Sequence, residues 1–315
     1  MKSKWFWGLI YVGAFITTFA VSAVIKLTYN PLEKETHADW NDLVGRVYTD
    51  ISYGDGDANK LDLYVPADDS KETYGLVVYL HAGGFTSGDK SDDAKMCQYL
   101  VSKGYVTAAI NYTLRSDDNP TASVYTMSQE IKSSIPIVKD EAAKLGYKLD
   151  RMAMSGGSAG GCLALLYAYR DADTSPIPVK FVFEAVGPSS FEPDDWYGLG
   201  ADNEAAAKLF SIMSGKTITA DMIGTKAYQE AIKGISPYMW VNENSVPTLC
   251  AYGKYDKVCP FGTVKYLLKA LDENNVPYDY IEFPNSGHGL QNDNKQARLY
   301  NQKINEYLDK YLSKE

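Results

Sequence analysis

The chain has 315 residues, 45% hydrophobic and 23% charged, a composition that suits an ordinary globular protein with room for a large core. Its formal net charge of −9 comes with no lysine- or arginine-rich stripe, which excludes a nucleic-acid partner. Cys97, Cys162, Cys250 and Cys259 form no Cys-x-x-Cys pair and adjoin no histidine cluster, so no zinc site is expected. Cys162 reads as a small buried hydrophobe, while Cys250 and Cys259 are candidates to pair if the chain is exported.

The first segment, residues 1–26, carries Lys2 and Lys4, then 21 uncharged residues from Trp5 to Ile25, then Lys26. As a helix that run spans about 31 Å, enough for a bilayer core. It reads as a membrane anchor with the N-terminus inside and the rest of the chain outside. Val21-Ser22-Ala23 resembles a cleavage site and keeps a removed signal peptide as the alternative. Either way the remainder is expected to work outside the cytoplasm. Residues 27–44, with Pro31 and mixed charge, read as a tether to a domain over 45–315.

From Arg46 strands and helices alternate. "RVYTDISYG" and "KLDLYVP" read as strands joined by a glycine-aspartate turn. "YGLVVYLHAGG" is an almost continuous apolar run ending in glycines, the mark of a strand buried on both faces. A helix with an acidic first turn follows over "SDDAKMCQYLVSKG", then the strand "YVTAAINYTL". Tyr125 to Gly146 reads as a long helix kinked at Pro136. "RMAMSGG" is a strand running into the apolar helix of "SGGSAGGCLALLYAYR". "VKFVFEAVG", "PTLCAYG" and "YDYIEFP" read as three further strands, with a helix from Phe261 to Asn274 between the last two. An amphipathic helix over Lys295 to Leu312 closes the chain.

This alternation predicts an α/β fold with a mostly parallel sheet of about eight strands and helices on both faces. Between Pro188 and Ser236 only short helices are expected, around "NEAAAKLFSIM" and "TKAYQEAIKG". So long an interruption reads as a small cap over one end of the sheet, about residues 188–235. Trp196 and Tyr197 within it would suit stacking on a sugar, although core packing explains aromatics more often.

Glycine stands at 156, 157, 160 and 161, two on each side of Ser158. Glycine is costly in regular structure, so such a cluster calls for a steric reason. Gly-x-Ser-x-Gly between a strand and a helix is the setting of a nucleophile elbow, where the serine occupies a strained turn at a helix N-terminus. A serine hydroxyl needs a base, and the chain has only three histidines. His37 lies in the tether, and His81 follows a buried strand. His288, in "PNSGHGL" just past the last strand, lies at the sheet edge where α/β folds build their sites. Asp256 follows a strand at the same edge and is the candidate to hold the imidazole, over Asp272, Asp279 and Glu282. "HAGGF" and the turn after Ser158 supply backbone donors for an oxyanion from Gly83, Gly84 and Ala159.

With "LDLYVP", "HAGGF", "SGGSAGG", "ISPYMW", "AYGKYDKVCP" and "SGHG" in that order, the chain resembles the α/β-hydrolase superfamily over about residues 46 to 312. The likeness is to the esterases related to hormone-sensitive lipase and to bacterial acetyl esterases. It implies Ser158 as nucleophile, Asp256 as acid, His288 as base, and Gly83, Gly84 and Ala159 as the oxyanion hole. It implies no cofactor. Two departures stand out: His81-Ala82-Gly83-Gly84 replaces the usual His-Gly-Gly-Gly, and Gly157 replaces the aspartate common before the nucleophile in the lipase branch. The second moves the chain toward the acetyl-esterase-like members.

The expected activity is hydrolysis of carboxylic esters with short acyl groups, on a small molecule or an acylated sugar, with the membrane as a partner through residues 1–26. A peptidase or formamidase on the same machinery is the nearest rival. An anchored binding module without chemistry is the rival from another class, and a complete set of candidate residues argues against it. The sequence carries no signal of oligomeric state.

Overall fold

The computed structural model describes residues 36–196 and 199–313. The expected anchor or signal peptide, the tether up to residue 35, and Tyr197 lie outside the described residues. Among the described residues no helix is long and apolar enough to cross a membrane.

Side chains alternate along a strand, so a strand apolar at every position feeds two cores at once. In β3 (Tyr74–Leu80), Leu76, Val78 and Leu80 enter one core and Val77 the other, all fully buried. β5 (Leu149–Gly157) does the same, with Met152 and Met154 opposed to Ala153. The other strands are β1 (Gly45–Ser52), β2 (Lys60–Pro66), β4 (Val106–Ile110), β6 (Val179–Ala185), β7 (Thr248–Gly253) and β8 (Tyr278–Phe283). They form one eight-stranded sheet in the order β1-β2-β4-β3-β5-β6-β7-β8. The β1–β2 and β2–β4 pairs are antiparallel, and every pair from β4 to β8 is parallel. This is the sheet expected from the sequence.

Helices α2 (Val124–Lys144), α3 (Ala159–Leu166) and α6 (Val264–Glu273) cover one face, through residues such as Ile131, Leu163 and Leu267. Helices α1 (Ala94–Ser102) and α7 (Asn294–Tyr307) cover the other, through Leu100, Tyr300 and Ile304. The boundaries differ from the sequence reading in small ways. The acidic turn before α1 is a 3₁₀ turn, Lys90–Asp93, capped by the Asp89 side chain. Pro136 lies inside α2, which continues through it.

Residues 188–235 hold α4 (Asn203–Ser214) and α5 (Lys226–Ile232) and, among those described, no strand. Their aromatics pack on one another. Trp196 stacks on Phe191 at 5.4 Å and meets the edge of Phe210 at 5.8 Å, while its indole N–H donates to the Ser190 carbonyl. Trp196 is therefore core, which removes it as an exposed platform for a sugar. The segment reaches the starts of two helices: Ser189 Oγ donates to the Thr263 carbonyl ahead of α6, and Gly215 lies against Ser123, the cap of α2. Helices that follow parallel strands begin at the carboxyl edge of the sheet, so the segment sits at that edge.

All four cysteines are buried and free, so the candidate pair Cys250–Cys259 is not joined. Cys250 packs with Tyr252 and Val264, whereas the Cys259 thiol lies 3.9 Å from Thr263 Oγ1. Cys162 is buried, as expected.

Phe210 is fully buried at the centre of the Phe191–Trp196–Tyr228 cluster. Phe210→Ala should cost about 3–5 kcal/mol of stability in urea titrations, the usual loss for emptying a buried phenylalanine site.

Candidate active site

β5 ends at Gly157, and α3 begins one residue after Ser158. Ser158 has φ 51° and ψ −118°, a backbone conformation that is strained for any residue with a Cβ. Two hydrogen bonds hold it there. Its N–H donates to the Ala185 carbonyl at the end of β6 (2.8 Å), and its carbonyl accepts from Cys162 (3.1 Å).

The four glycines around it are not equivalent. A Cβ on Gly160 would lie 1.9 Å from the Leu80 carbonyl oxygen, and one on Gly156 would lie 2.4 Å from the Gly160 carbonyl carbon. These two positions admit no side chain. Gly161 packs against Gly187 and the Glu184 carboxyl, at 3.1 and 2.9 Å from an added Cβ. Gly157 is the correction to the sequence reading: the nearest atom to an added Cβ is 4.0 Å away, so no steric reason requires glycine there.

His288 lies between β8 and α7, and its imidazole spans two partners. Nε2 lies 2.8 Å from Ser158 Oγ and Nδ1 lies 2.7 Å from Asp256 Oδ2. The Asp256 side chain is fully shielded from solvent. Its other oxygen accepts from the backbone N–H groups of Val258 (2.8 Å) and Cys259 (2.9 Å), which fix the carboxylate in place. The rival acids are occupied elsewhere. Asp272 accepts from Tyr278, while Asp279 and Glu282 face Lys303 and Lys254. His37 is exposed beside Asp39. His81 is buried, its ring stacked on Tyr112 at 4.2 Å, and burial depresses its pKa.

The loop after β3 aims its amides by spending its carbonyls. His81 Nδ1 donates to the Ala82 carbonyl at 2.7 Å. The Gly83 carbonyl accepts from the N–H groups of Thr86 (3.1 Å) and Ser87 (3.0 Å) and from Ser87 Oγ (2.9 Å). In a trans peptide the N–H points opposite to the carbonyl, so the Gly83 and Gly84 amides face away from these partners. Neither donates to another group among the described residues. Gly83 has φ 124° and Gly84 φ 61°, conformations open to glycine but costly for other residues. Ala159 is the first residue of α3, where the N–H has no partner within the helix.

A second network, which the sequence did not announce, secures His288. Asp293, just before α7, accepts from the Asn285 N–H (3.0 Å), Asn285 Nδ2 (2.8 Å) and Ser286 Oγ (2.6 Å). The Ser286 carbonyl in turn accepts from the Tyr255 N–H at 2.9 Å, which joins this loop to the one bearing Asp256. Desolvation works to raise the Asp293 pKa, but the hydrogen bonds outweigh it and hold the carboxyl below its usual range. From sequence, an aspartate before a helix reads simply as a cap.

A mostly parallel eight-stranded sheet with a serine at the turn after its fifth strand, facing a histidine and an aspartate from the last two loops, is the α/β-hydrolase architecture. The solved structure of esterase B from Lactobacillus rhamnosis shares it, with a TM-score of 0.67 at 20% identity, covering 95% of this chain and 96% of that one. Within that class the chain belongs to the BD-FAE family, whose model matches residues 61–271. Curated relatives include the probable carboxylic ester hydrolase LipM of Mycobacterium tuberculosis, 27% identical over 76% of this chain and 56% of that protein. Kynurenine formamidase of Salmo salar is 31% identical over 38% of each chain. The chain thus spans between 38% and 56% of the length of these two relatives.

The grip of Asp293 on Asn285 and Ser286 makes His288 geometry depend on a residue that is not part of the Ser158–His288–Asp256 line. Asp293→Ala should lower kcat by about a hundredfold with little change in KM, the scale of a misplaced reacting group. A loss confined to KM would show instead that Asp293 shapes the binding surface.

Proposed function

We propose that the protein is a serine hydrolase of carboxylic esters. The observation that carries this reading is the unbroken line from Ser158 Oγ through the His288 ring to Asp256, at 2.8 and 2.7 Å. In this reading Ser158 Oγ attacks the ester carbonyl while His288 Nε2 takes its proton, and Asp256 orients the ring and balances the imidazolium. The oxyanion of the tetrahedral intermediate is held by the amides of Gly83, Gly84 and Ala159, aided by the positive end of α3. Collapse breaks the bond to the alcohol oxygen, which leaves with the proton from His288. Water then gives a proton to His288 and attacks the acyl-serine, releasing the carboxylic acid and restoring Ser158.

The proposed acyl group is short, on the likeness to acetyl esterases, and the substrate is a small-molecule ester or an acylated saccharide. Tyr255 stands beside Asp256 with 62% of its surface exposed, a ring free to lie against a sugar. The kynurenine formamidase relative favours a second reading, cleavage of an N-formyl amide by the same attack. A panel of acetyl, butyryl and feruloyl esters, acetylated xylan and N-formylkynurenine separates the two: faster turnover of the formamide replaces the ester reading. The segment 188–235 is proposed as a cap, and residues 1–26 as an anchor or signal that places the domain outside the cytoplasm.

Ser158→Ala should abolish turnover without unfolding the protein, because one oxygen is removed. Ser158→Ala, His288→Ala and the double variant should lie within about tenfold of one another in kcat, since the groups act as a unit. Asp256→Asn should cost on the order of 10⁴-fold. A larger loss in Asp279→Asn or Glu282→Gln would move the acid to another strand end.

A chain truncated to begin at Leu27 should remain soluble and active. Loss of activity there, with the full chain active in detergent, would make Trp5–Ile25 part of the folded domain rather than an anchor or signal.

A further inference from the structure

Glu184 is fully buried in a strand whose other inward residues are apolar, and the chemistry proposed above does not use it. It lies on β6 directly beside Gly156 of β5. Its Oε2 accepts from the Gly187 N–H at 2.8 Å, closing a ring around Val186. Val186 needs that support, because a β-branched residue at φ 52° is a true backbone outlier. Tyr252 closes the other side: its hydroxyl donates to the Gly187 carbonyl at 2.7 Å. Oε1 has no hydrogen-bond partner among the described residues.

This ring is joined to the nucleophile turn at two points. Ala185, between Glu184 and Val186, provides the carbonyl that holds the Ser158 N–H at 2.8 Å. Oε2 also fills the space in front of Gly161 and Gly187, where an added Cβ would lie 2.9 and 2.8 Å from it. Two strained residues, Ser158 and Val186, therefore sit on adjacent strand ends and are braced by the same carboxyl.

We propose that Glu184 is a positioning residue for Ser158, locking the 185–187 backbone that holds the nucleophile in its strained turn. The proposal rests on Ser158 being the nucleophile of the hydrolase described above. It assigns a protonation state to the brace. A neutral carboxyl accepts from Gly187 through Oε2 and leaves no charge on Oε1, which has no hydrogen-bond partner among the described residues. A carboxylate would leave that oxygen charged and unpaired in the interior, a cost that opening the 185–187 turn to water relieves.

The surroundings favour the neutral form. Within electrostatic reach of Glu184 are Cys162 of α3, Cys250 and Tyr252 of β7, Cys259 after β7, Tyr169 beyond α3 and Tyr300 of α7. Burial raises the pKa of every one of these groups, so they are uncharged at neutral pH. Arg170, which acts on Cys162, is itself paired with Asp171 at 2.6 Å. Desolvation pushes the Glu184 carboxyl up to about 8, against the opposing pull of Gly187 and Tyr252. The sign follows: the folded protein holds this proton between the ordinary glutamate pKa and about 8, so the brace is complete below that range's upper end and opens as pH rises through it.

The experiment is the pH dependence of kcat and KM for 4-nitrophenyl acetate in the wild type, Glu184→Gln and Glu184→Ala, with circular dichroism at each pH. Wild-type kcat should fall above about pH 8 while the fold persists. Glu184→Gln keeps the acceptor for Gly187 and is uncharged at every pH, so it should stay within about threefold of wild type at pH 7 and lose that alkaline limb. Glu184→Ala should lose kcat on the order of 100-fold with KM nearly unchanged, the scale of a misplaced nucleophile. An unchanged alkaline limb in Glu184→Gln, or full kcat in a folded Glu184→Ala, overturns the proposal. Should the variants not fold, the wild type decides through the rate of Ser158 labelling by a fluorophosphonate. A fall with a midpoint near pH 8 supports the brace, and a constant rate from pH 7 to 10 overturns it. A wild type that neither hydrolyses esters nor labels at Ser158 at any pH rejects the hydrolase reading itself, a different result from an active enzyme indifferent to Glu184.

Discussion

The absence of a side chain at Gly160 lets α3 press against the carboxyl end of β3, with an added Cβ only 1.9 Å from the Leu80 carbonyl oxygen. That approach turns the chain from β5 into α3 within a single residue, and the residue left at the bend is Ser158 at φ 51°. Such strain persists only where the surroundings over-determine it. Here β3 lies on one side of β5 and β6 on the other, and both strands bury apolar side chains in the core. The hydrophobic packing of the central sheet thus holds a polar group in a conformation that it would not adopt alone.

The other members of the site are held differently. Asp256 and His288 come from loops after β7 and β8, and side-chain and backbone hydrogen bonds shape those loops more than packing does. Buried polar groups must be paired, and the pairing is what specifies their geometry. Asp256 is fixed by two backbone amides and the His288 loop by Asp293, and the bond between Tyr255 and Ser286 links the two. The loop after β3 uses the same device. Its carbonyls are committed to His81, Thr86 and Ser87, which leaves the Gly83 and Gly84 amides facing away from them.

Much of this was legible in the sequence because the responsible forces are local or periodic. Apolar runs of strand length between glycines located β3, β5 and β6, and Gly156 and Gly160 marked a turn with no room for bulk. Three histidines made His288 easy to find, and Asp256 was singled out because it follows a strand end. What stayed hidden depends on contacts between distant segments. Gly157 looked like its three neighbours, though an added Cβ there would make only an ordinary contact, 4.0 Å from the Ala185 carbonyl oxygen. Glu184 looked like an interruption in "VKFVFEAVG", because nothing in the strand pattern reveals that it accepts from Gly187 or that Tyr252 holds the Gly187 carbonyl. Trp196 looked available to a ligand until Phe191 and Phe210 were seen to enclose it.

The unequal support of the three residues has a consequence for how the molecule comes apart. Ser158 hangs from the middle of the sheet, whereas Asp256 and His288 depend on β7 and on β8 at its margin. Opening free energies are lowest where few strands and much hydrogen-bonded loop are involved, and highest in the central strands. Amide exchange around Ser158 should therefore follow global unfolding, while the loops carrying Asp256 and His288 exchange through smaller, cheaper openings. In that partly opened ensemble Ser158 keeps its strained turn but has no imidazole beside it, so a hydrolase working through the proposed line would fall silent before it unfolds.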